Sequence, residues 1–246
     1  MERSFHKYLK LLTVILVMLN FVAPAQNLKD YRCRYFHAYL EGDMEPWLEW
    51  AEEIEANHPK ELDWMLVALQ ARYGLIGYYF GTNQKSKIKN VLQDARSKLD
   101  PLLEKHPQDA RLYSLKAAFQ AFEIGLTMYK APFLGPKVES AIQRAISLNP
   151  EEPTAWLEEG NSLYNRPALF GGDKKQAILA YKKALILFGH DTVKCNYLIV
   201  LTEVFIMKGY YETGQQQLYR QTRQNLENQY GRLPWLDDFL PADIIR

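Results

Sequence analysis

The chain has 246 residues, of which 48% are hydrophobic and 24% charged, and its formal net charge is +1 at pH 7. This is enough apolar material for one sizeable core, and the composition is unlike that of a disordered chain. A protein that binds nucleic acid normally carries a strongly basic face or tail, and the sequence contains no block of Lys and Arg. We therefore expect one folded unit without a nucleic-acid partner.

The first 25 residues have the three parts of a secretory signal peptide. Basic residues precede an apolar run from Leu11 to Val22, which ends in the small residues Ala23-Pro24-Ala25. The run is well short of the roughly 20 apolar residues that cross a bilayer. We predict cleavage between Ala25 and Gln26 and export to the periplasm or the medium. The remaining chain has about one more acidic than basic residue, so no attraction to membranes is expected.

The two cysteines, Cys33 and Cys195, fall at opposite ends of the remaining chain. A disulfide requires Cα atoms within about 7 Å of each other. An elongated stack of helices would hold these residues much farther apart. We therefore expect two reduced, buried thiols and a fold that is held by packing.

Apolar residues recur at helical spacing throughout the chain after residue 30, and the alternation typical of strands is hard to find. The clearest unit runs from residue 153 to 189, with Trp156 and Gly160 in its first part and Ala177 and Tyr181 in its second. It resembles a tetratricopeptide repeat, in which small residues let two helices approach and aromatic side chains fill the space between neighbours. The resemblance implies an all-α superhelix.

Weaker copies of the second helix of this unit end at Pro59, Pro107 and Pro150, and a polar, Gln-rich helix pair follows it. Proline fits these positions because it cannot continue a helix. The family resemblance thus predicts a tetratricopeptide-like solenoid of about five helix pairs over residues 26–232. An apolar C-terminal tail, residues 233–246, is expected to pack on the last repeat.

The repeats are longer than the 34 residues of a plain tetratricopeptide repeat, and the three inserts pair aromatic residues with Gly. Two interpretations are open: the aromatic side chains form a row that binds a small solute, or each insert folds back as a lid on the core. The stretch from residue 167 to 175 also resembles a loop of periplasmic tetratricopeptide partners of TRAP-type transporters, which would imply a trimer that passes a solute to a binding protein. Asp173 is the expected N-cap of the helix that follows. The candidate loop residues are Tyr79, Phe80, Phe133, Tyr164, Arg166, Phe170 and Asp173.

The sequence contains none of the spacings that carry catalysis or a cofactor. No HExxH, Gly-x-Ser-x-Gly, phosphate-binding loop or dinucleotide fingerprint is present, and paired acidic residues are adjacent in sequence and point apart on a helix. We expect no enzymatic activity, no cofactor and no metal site.

The leading hypothesis is an exported scaffold that binds a protein or peptide on its concave face, which the first helices of the repeats line. The alternative is a small-solute-binding protein that uses the aromatic inserts. Trp156 also matches a packing position of the family. The candidate residues of the concave face are Tyr73, Tyr113, Gln120, Trp156, Asn161 and Asn196.

Overall fold

The structure, a computed structural model, describes residues 27–190 and 194–240. The predicted signal peptide, residues 1–25, lies outside them. No helix in the described part is both long and apolar enough to cross a membrane. This part contains no strand and eleven α-helices: α1 (Leu28–Glu41), α2 (Trp47–Asn57), α3 (Leu62–Gly81), α4 (Lys85–Lys105), α5 (Ala110–Leu126), α6 (Ala131–Leu148), α7 (Pro153–Asn165), α8 (Lys174–Phe188), α9 (Tyr197–Glu212), α10 (Gln216–Tyr230) and α11 (Leu236–Phe239).

The first ten helices form five consecutive pairs. Successive helices from α2 to α10 pack against each other, and α3, α5 and α7 also contact one another. We call α3, α5, α7 and α9 the inner helices, and α4, α6, α8 and α10 the outer helices. This arrangement confirms the predicted all-α superhelix of about five pairs. Membership of the tetratricopeptide family stays a prediction.

Small residues allow the close approach of the helices within and between pairs. A Cβ atom on Gly160 of α7 would lie 2.4 Å from the ring of Tyr181 on α8, and one on Gly209 of α9 would lie 2.5 Å from Ile178. Both distances are far below van der Waals contact, so any larger residue would force the helices apart. Gly160, the small residue in the first helix of the repeat pattern, thus allows the close packing of the two helices.

Side chains at the helix starts satisfy backbone N–H groups that have no partner within the helix. Asn27 begins α1 with a reciprocal capping box, in which its side chain accepts from the backbone of Asp30 and the Asp30 carboxylate accepts from the backbone of Asn27. Asp109 caps α5 and Asn196 caps α9, and the side chain of each accepts one hydrogen bond from a backbone N–H group of its helix. The polar side chains that sit just before these helices therefore fix where they begin.

The array of pairs closes on itself. Helix α1 contacts both α3 and α9, and its Cys33 forms a disulfide with Cys195, with Cα atoms 4.7 Å apart. The prediction of two distant, reduced thiols is therefore wrong. Each helix pair is rotated relative to the previous one, so four pairs bring the chain back beside its beginning, where an elongated stack would have carried it away.

The described part of the C-terminal tail covers this junction. Leu233, Leu236 and Leu240 are buried, and the indole Nε1 of Trp235 donates to the backbone oxygen of Tyr39 on α1 at 2.9 Å. The rings of Trp235 and Tyr39 also meet, with centroids 5.1 Å apart. The tail consequently contacts the first helix pair; its last residues, 241–246, lie outside the described residues.

Candidate functional site

The inner helices line a very small, partly open cavity. Residues of α3, α5, α7 and α9 line it, among them Tyr73, Ser114 and Glu158, and its volume is about 20 Å³. This is room for about one water molecule. A pocket for an organic ligand is typically more than ten times larger, so this cavity is too small for one.

A hydrogen-bonded network fills the space beside this cavity. The side-chain amide of Asn161 donates to the Tyr73 hydroxyl and to Glu158, both at 3.2 Å, and its carbonyl oxygen accepts from Tyr181 at 2.9 Å. Burial raises the pKa of Glu158 to about 7, although hydrogen bonds from Asn161 and Tyr73 oppose the rise. This carboxyl group therefore changes its protonation near neutral pH, as does that of Glu203 on α9, whose pKa burial also raises to about 7.

The structure engages most of the predicted concave-face residues in internal bonds. Tyr113 donates to the backbone of Pro107 at 3.3 Å, and Trp156 donates to the backbone of Pro150 at 2.8 Å. Asn196 is the N-cap of α9 and accepts from the backbone of Leu198 at 3.0 Å. Tyr73 and Asn161 bond each other, so these side chains fix the fold and are not grouped in an open groove.

Gln120 differs from the other predicted concave-face residues. Its side-chain oxygen Oε1 is buried, and no hydrogen-bond partner for it exists among the described residues. A buried acceptor without a partner is unfavourable by about 1 to 3 kcal/mol. Gln120 is therefore the residue of this group at which a donor from outside the chain would be most favourable.

Five large apolar side chains protrude where α5 passes to α6 and where α7 passes to α8. Each is between 69% and 88% exposed. In a solenoid, the connection between the two helices of one pair lies at the same edge as the corresponding connection in the next pair. We call this group the apolar edge; its members are Met128, Tyr129, Phe133, Leu169 and Phe170.

Ion pairs hold the backbone of the apolar edge in place. Lys130 binds Glu123 at 2.5 Å, and Arg96 of the preceding outer helix binds the same carboxylate at 2.5 Å. Arg166, which follows α7, forms an ion pair with Glu139 on α6. This ion pair links the connection between α7 and α8 to the helix that follows the connection between α5 and α6. The two parts of the apolar edge are thus linked on a rigid frame.

The three predicted inserts do not behave alike. Tyr79 and Phe80 belong to the last turn of α3, where Tyr79 is buried and Phe80 packs on the ring of Phe122, with centroids 5.7 Å apart. They cover the core, as the lid interpretation predicts. Phe133 and Phe170 point into solvent, so the lid interpretation is wrong for them.

The remaining candidate loop residues serve the local structure. Asp173 caps α8 by accepting from the backbone of Lys175 and Gln176, the role the sequence suggests for it. The ring of Tyr164 lies between the ammonium groups of Lys174 and Lys208, 5.5 and 5.2 Å from its centroid. Neither residue belongs to the apolar edge.

Three residues of interest escaped the sequence analysis. Met128 and Leu169 flank predicted aromatic residues but were not singled out, because nothing in the sequence distinguishes an exposed apolar residue from a core one. Glu158 and Glu159 form one of the adjacent acidic pairs, for which the sequence predicts a solvated face, whereas the structure buries Glu158. No cluster of three metal-ligand side chains occurs in the described ranges.

Comparisons with known proteins give a likeness of fold. No protein-family model matches the chain, and no curated protein matches it in sequence. Among solved structures, the chain is similar to the HusA haemophore from Porphyromonas gingivalis, with a TM-score of 0.62 and 16% sequence identity over 78% of this chain and 97% of that one. At this identity the likeness shows a shared fold and nothing about residues or ligands.

Proposed function

We propose that this protein is an exported, non-catalytic carrier that binds a flat, largely apolar molecule on its apolar edge, with haem as the first candidate. The observation that carries the proposal is the exposure of five large apolar side chains on a rigid frame. Protein surfaces of this kind mark binding sites, since leaving them in water is unfavourable. The cavity between the inner helices is too small for such a molecule, which favours the apolar edge as its binding site.

The choice of haem as first candidate is supported by the structural neighbour, which is a haemophore. The chemistry of the edge suits a porphyrin. Tyr129, Phe133 and Phe170 offer aromatic faces to a flat ring system. An exposed basic residue, Lys137, follows the first connection and could pair with a carboxylate at the rim of a haem.

The edge also contains two side chains of types that ligate haem iron. A tyrosine is the axial ligand in catalase and a methionine in cytochrome c, and the exposed Tyr129 and Met128 are adjacent. A role in ligation predicts that Tyr129→Phe weakens the binding of hemin but leaves the binding of metal-free protoporphyrin unchanged. Equal loss for the two porphyrins would assign Tyr129 to stacking.

The decisive experiment titrates hemin into the protein and into the double variant Phe133→Ala/Phe170→Ala, with absorbance and tryptophan quenching as readouts. Removing two aromatic contacts should weaken binding by roughly 2 to 4 kcal/mol, or about 30-fold to 1,000-fold in Kd. Circular dichroism should be unchanged, because both side chains are exposed.

The matched control is Leu179→Ala/Ile186→Ala, which removes two exposed apolar side chains from α8, away from the apolar edge. It should bind hemin as the unmodified protein does. The proposal is refuted if the unmodified protein fails to bind either porphyrin, or if both double variants lose affinity equally.

Peptide binding by the inner helices is the second candidate. The one observation that favours it is the buried Gln120 oxygen without a partner, which a peptide N–H could satisfy. Affinity capture from an exported fraction, with the unmodified protein and with Gln120→Leu, tests this candidate. If both proteins retain a peptide ligand equally, Gln120 is excluded as its binding site.

A further inference from the structure

The charges of this protein are distributed unevenly among its helices. The four outer helices carry 14 Lys and Arg residues against five Asp and Glu, whereas the other helices from α1 to α9 carry seven against twelve. The near-neutral charge of the whole chain, which led to the expectation of no membrane attraction, hides this pattern. The four outer helices therefore carry an excess of basic residues.

Helix α8 has the most pronounced basic face among the outer helices. It contains four lysines and no acidic residue. Lys175 makes no ion pair with any described residue, and Lys182 and Lys183 lie over the rings of Tyr210 and Trp156. Aromatic rings do not neutralise a charge as a carboxylate does, so these ammonium groups remain available to an anion.

Two apolar side chains lie among these lysines. Leu179 is 57% exposed and Ile186 is 67% exposed. They are seven positions apart, which is two helical turns or about 10 Å, so they point in the same direction. Lys175, Lys182 and Lys183 flank them on this outward surface. We call these five residues the α8 face.

We infer that the α8 face docks this protein on an anionic lipid surface. Lysines provide attraction to the headgroups, and apolar side chains between them enter the boundary of the acyl chains. A protein partner is less favoured, because two isolated apolar side chains are far less than the roughly 800 Å² that each side of a stable interface buries. Nucleic acid would make no use of Leu179 and Ile186, and the face has no exposed aromatic ring for base stacking.

The experiment measures co-sedimentation of the chain beginning at Gln26 with two kinds of vesicle, in the absence of any porphyrin. We expect binding to phosphatidylcholine vesicles that contain phosphatidylglycerol and none to pure phosphatidylcholine. Raising the salt to about 0.5 M, where the Debye length is about 4 Å, should release the protein.

Two variants assign the contact to the α8 face. Lys175→Gln/Lys182→Gln should lower the vesicle affinity about 25-fold, since each surface lysine contributes a factor of about five. Leu179→Ala/Ile186→Ala should lower it while leaving the salt dependence in place. Lys29→Gln/Lys60→Gln, a control at two exposed lysines outside the outer helices, should bind normally.

Three outcomes would overturn the inference: equal binding to both vesicle types, no binding to either, or equal loss in the α8-face and control lysine variants. The variant Phe133→Ala/Phe170→Ala separates this site from the apolar edge. It should keep its vesicle binding, and loss of binding in this variant alone would move the lipid contact to the edge. Because no porphyrin is present, each result is independent of the proposed carrier function.

Discussion

The disulfide between Cys33 and Cys195 should make a large contribution to the stability of this protein. It joins residues 162 positions apart, and closing so long a loop in the unfolded chain lowers its entropy by an amount equivalent to about 5 kcal/mol at 25 °C. Natural disulfides contribute about 2 to 5 kcal/mol when measured, so we expect a value in that range.

Replacing both cysteines with Ser should therefore lower the melting temperature by roughly 5 to 20 °C, since 1 kcal/mol corresponds to about 2 to 4 °C in a domain of this size. Thermal melts followed by circular dichroism measure the shift. In the presence of a reductant, the unmodified protein should melt at the same temperature as the double variant. The reductant should not change the melting temperature of the double variant.

The single variant Cys33→Ser should be as unstable as the double variant, because either change opens the same loop. Two results would refute the reasoning. The first is the titration of two free thiols in the unreduced, denatured protein. The second is a double variant that melts within 2 °C of the parent, because a loss of about 1 kcal/mol would already produce a larger shift.

Three further predictions test packing and buried charge. Gly160→Ala should destabilise the protein by about 1 to 3 kcal/mol in urea unfolding, because its Cβ would overlap the ring of Tyr181; the control Gly77→Ala, where nothing lies within 4 Å, should be neutral or slightly stabilising. The carboxyl of Glu158 titrates at about 7 when folded and near 4.5 when unfolded, so the folded state holds the proton more tightly. Its stabilising effect is complete below pH 4.5 and is lost as the pH rises through 7. Burial also raises the pKa of Glu203 to about 7, so that residue contributes over the same pH range. Glu158→Gln should reduce the slope of this part of the stability profile and raise stability at pH 8 by about 3 kcal/mol, and an unchanged profile would contradict the assignment. Arg72→Met should cost about 3 kcal/mol in the same unfolding assay, because it removes the buried cation that binds Glu55 at 2.8 Å and Asp94 at 2.6 Å; Lys98 still contacts both carboxylates and limits the loss. A loss below 1 kcal/mol would show that Lys98 replaces it.

The local parts of this fold could be predicted from the sequence because the signals are local. The closing residues Pro107, Pro150 and Gly189 lie one or two positions beyond the ends of α4, α6 and α8. The small residue at position 160 marks a real helix contact. Such features depend on neighbours within one helix pair, which a repeat pattern encodes.

The closure of the array could not be predicted, because it arises from small rotations that add up over several pairs. Nothing near Cys33 or Cys195 in the sequence shows that their backbones meet. The inserts were a similar case: Tyr79 extends a helix and is buried, while Phe133 begins a helix and is exposed. Whether an apolar residue faces solvent depends on which helices pass over it, and no local pattern contains that information.

The bond between the Tyr197 hydroxyl and the backbone oxygen of Gln70, 2.5 Å long, joins the last helix pair to the second. Together with the disulfide, it fixes the copy number of the helix pairs. An open solenoid can lengthen by duplicating a unit, but an extra pair inserted here would carry Tyr197 and Cys195 away from their partners. We expect variation among descendants of this chain to be confined to the connections between helices, where length can change without breaking the ring.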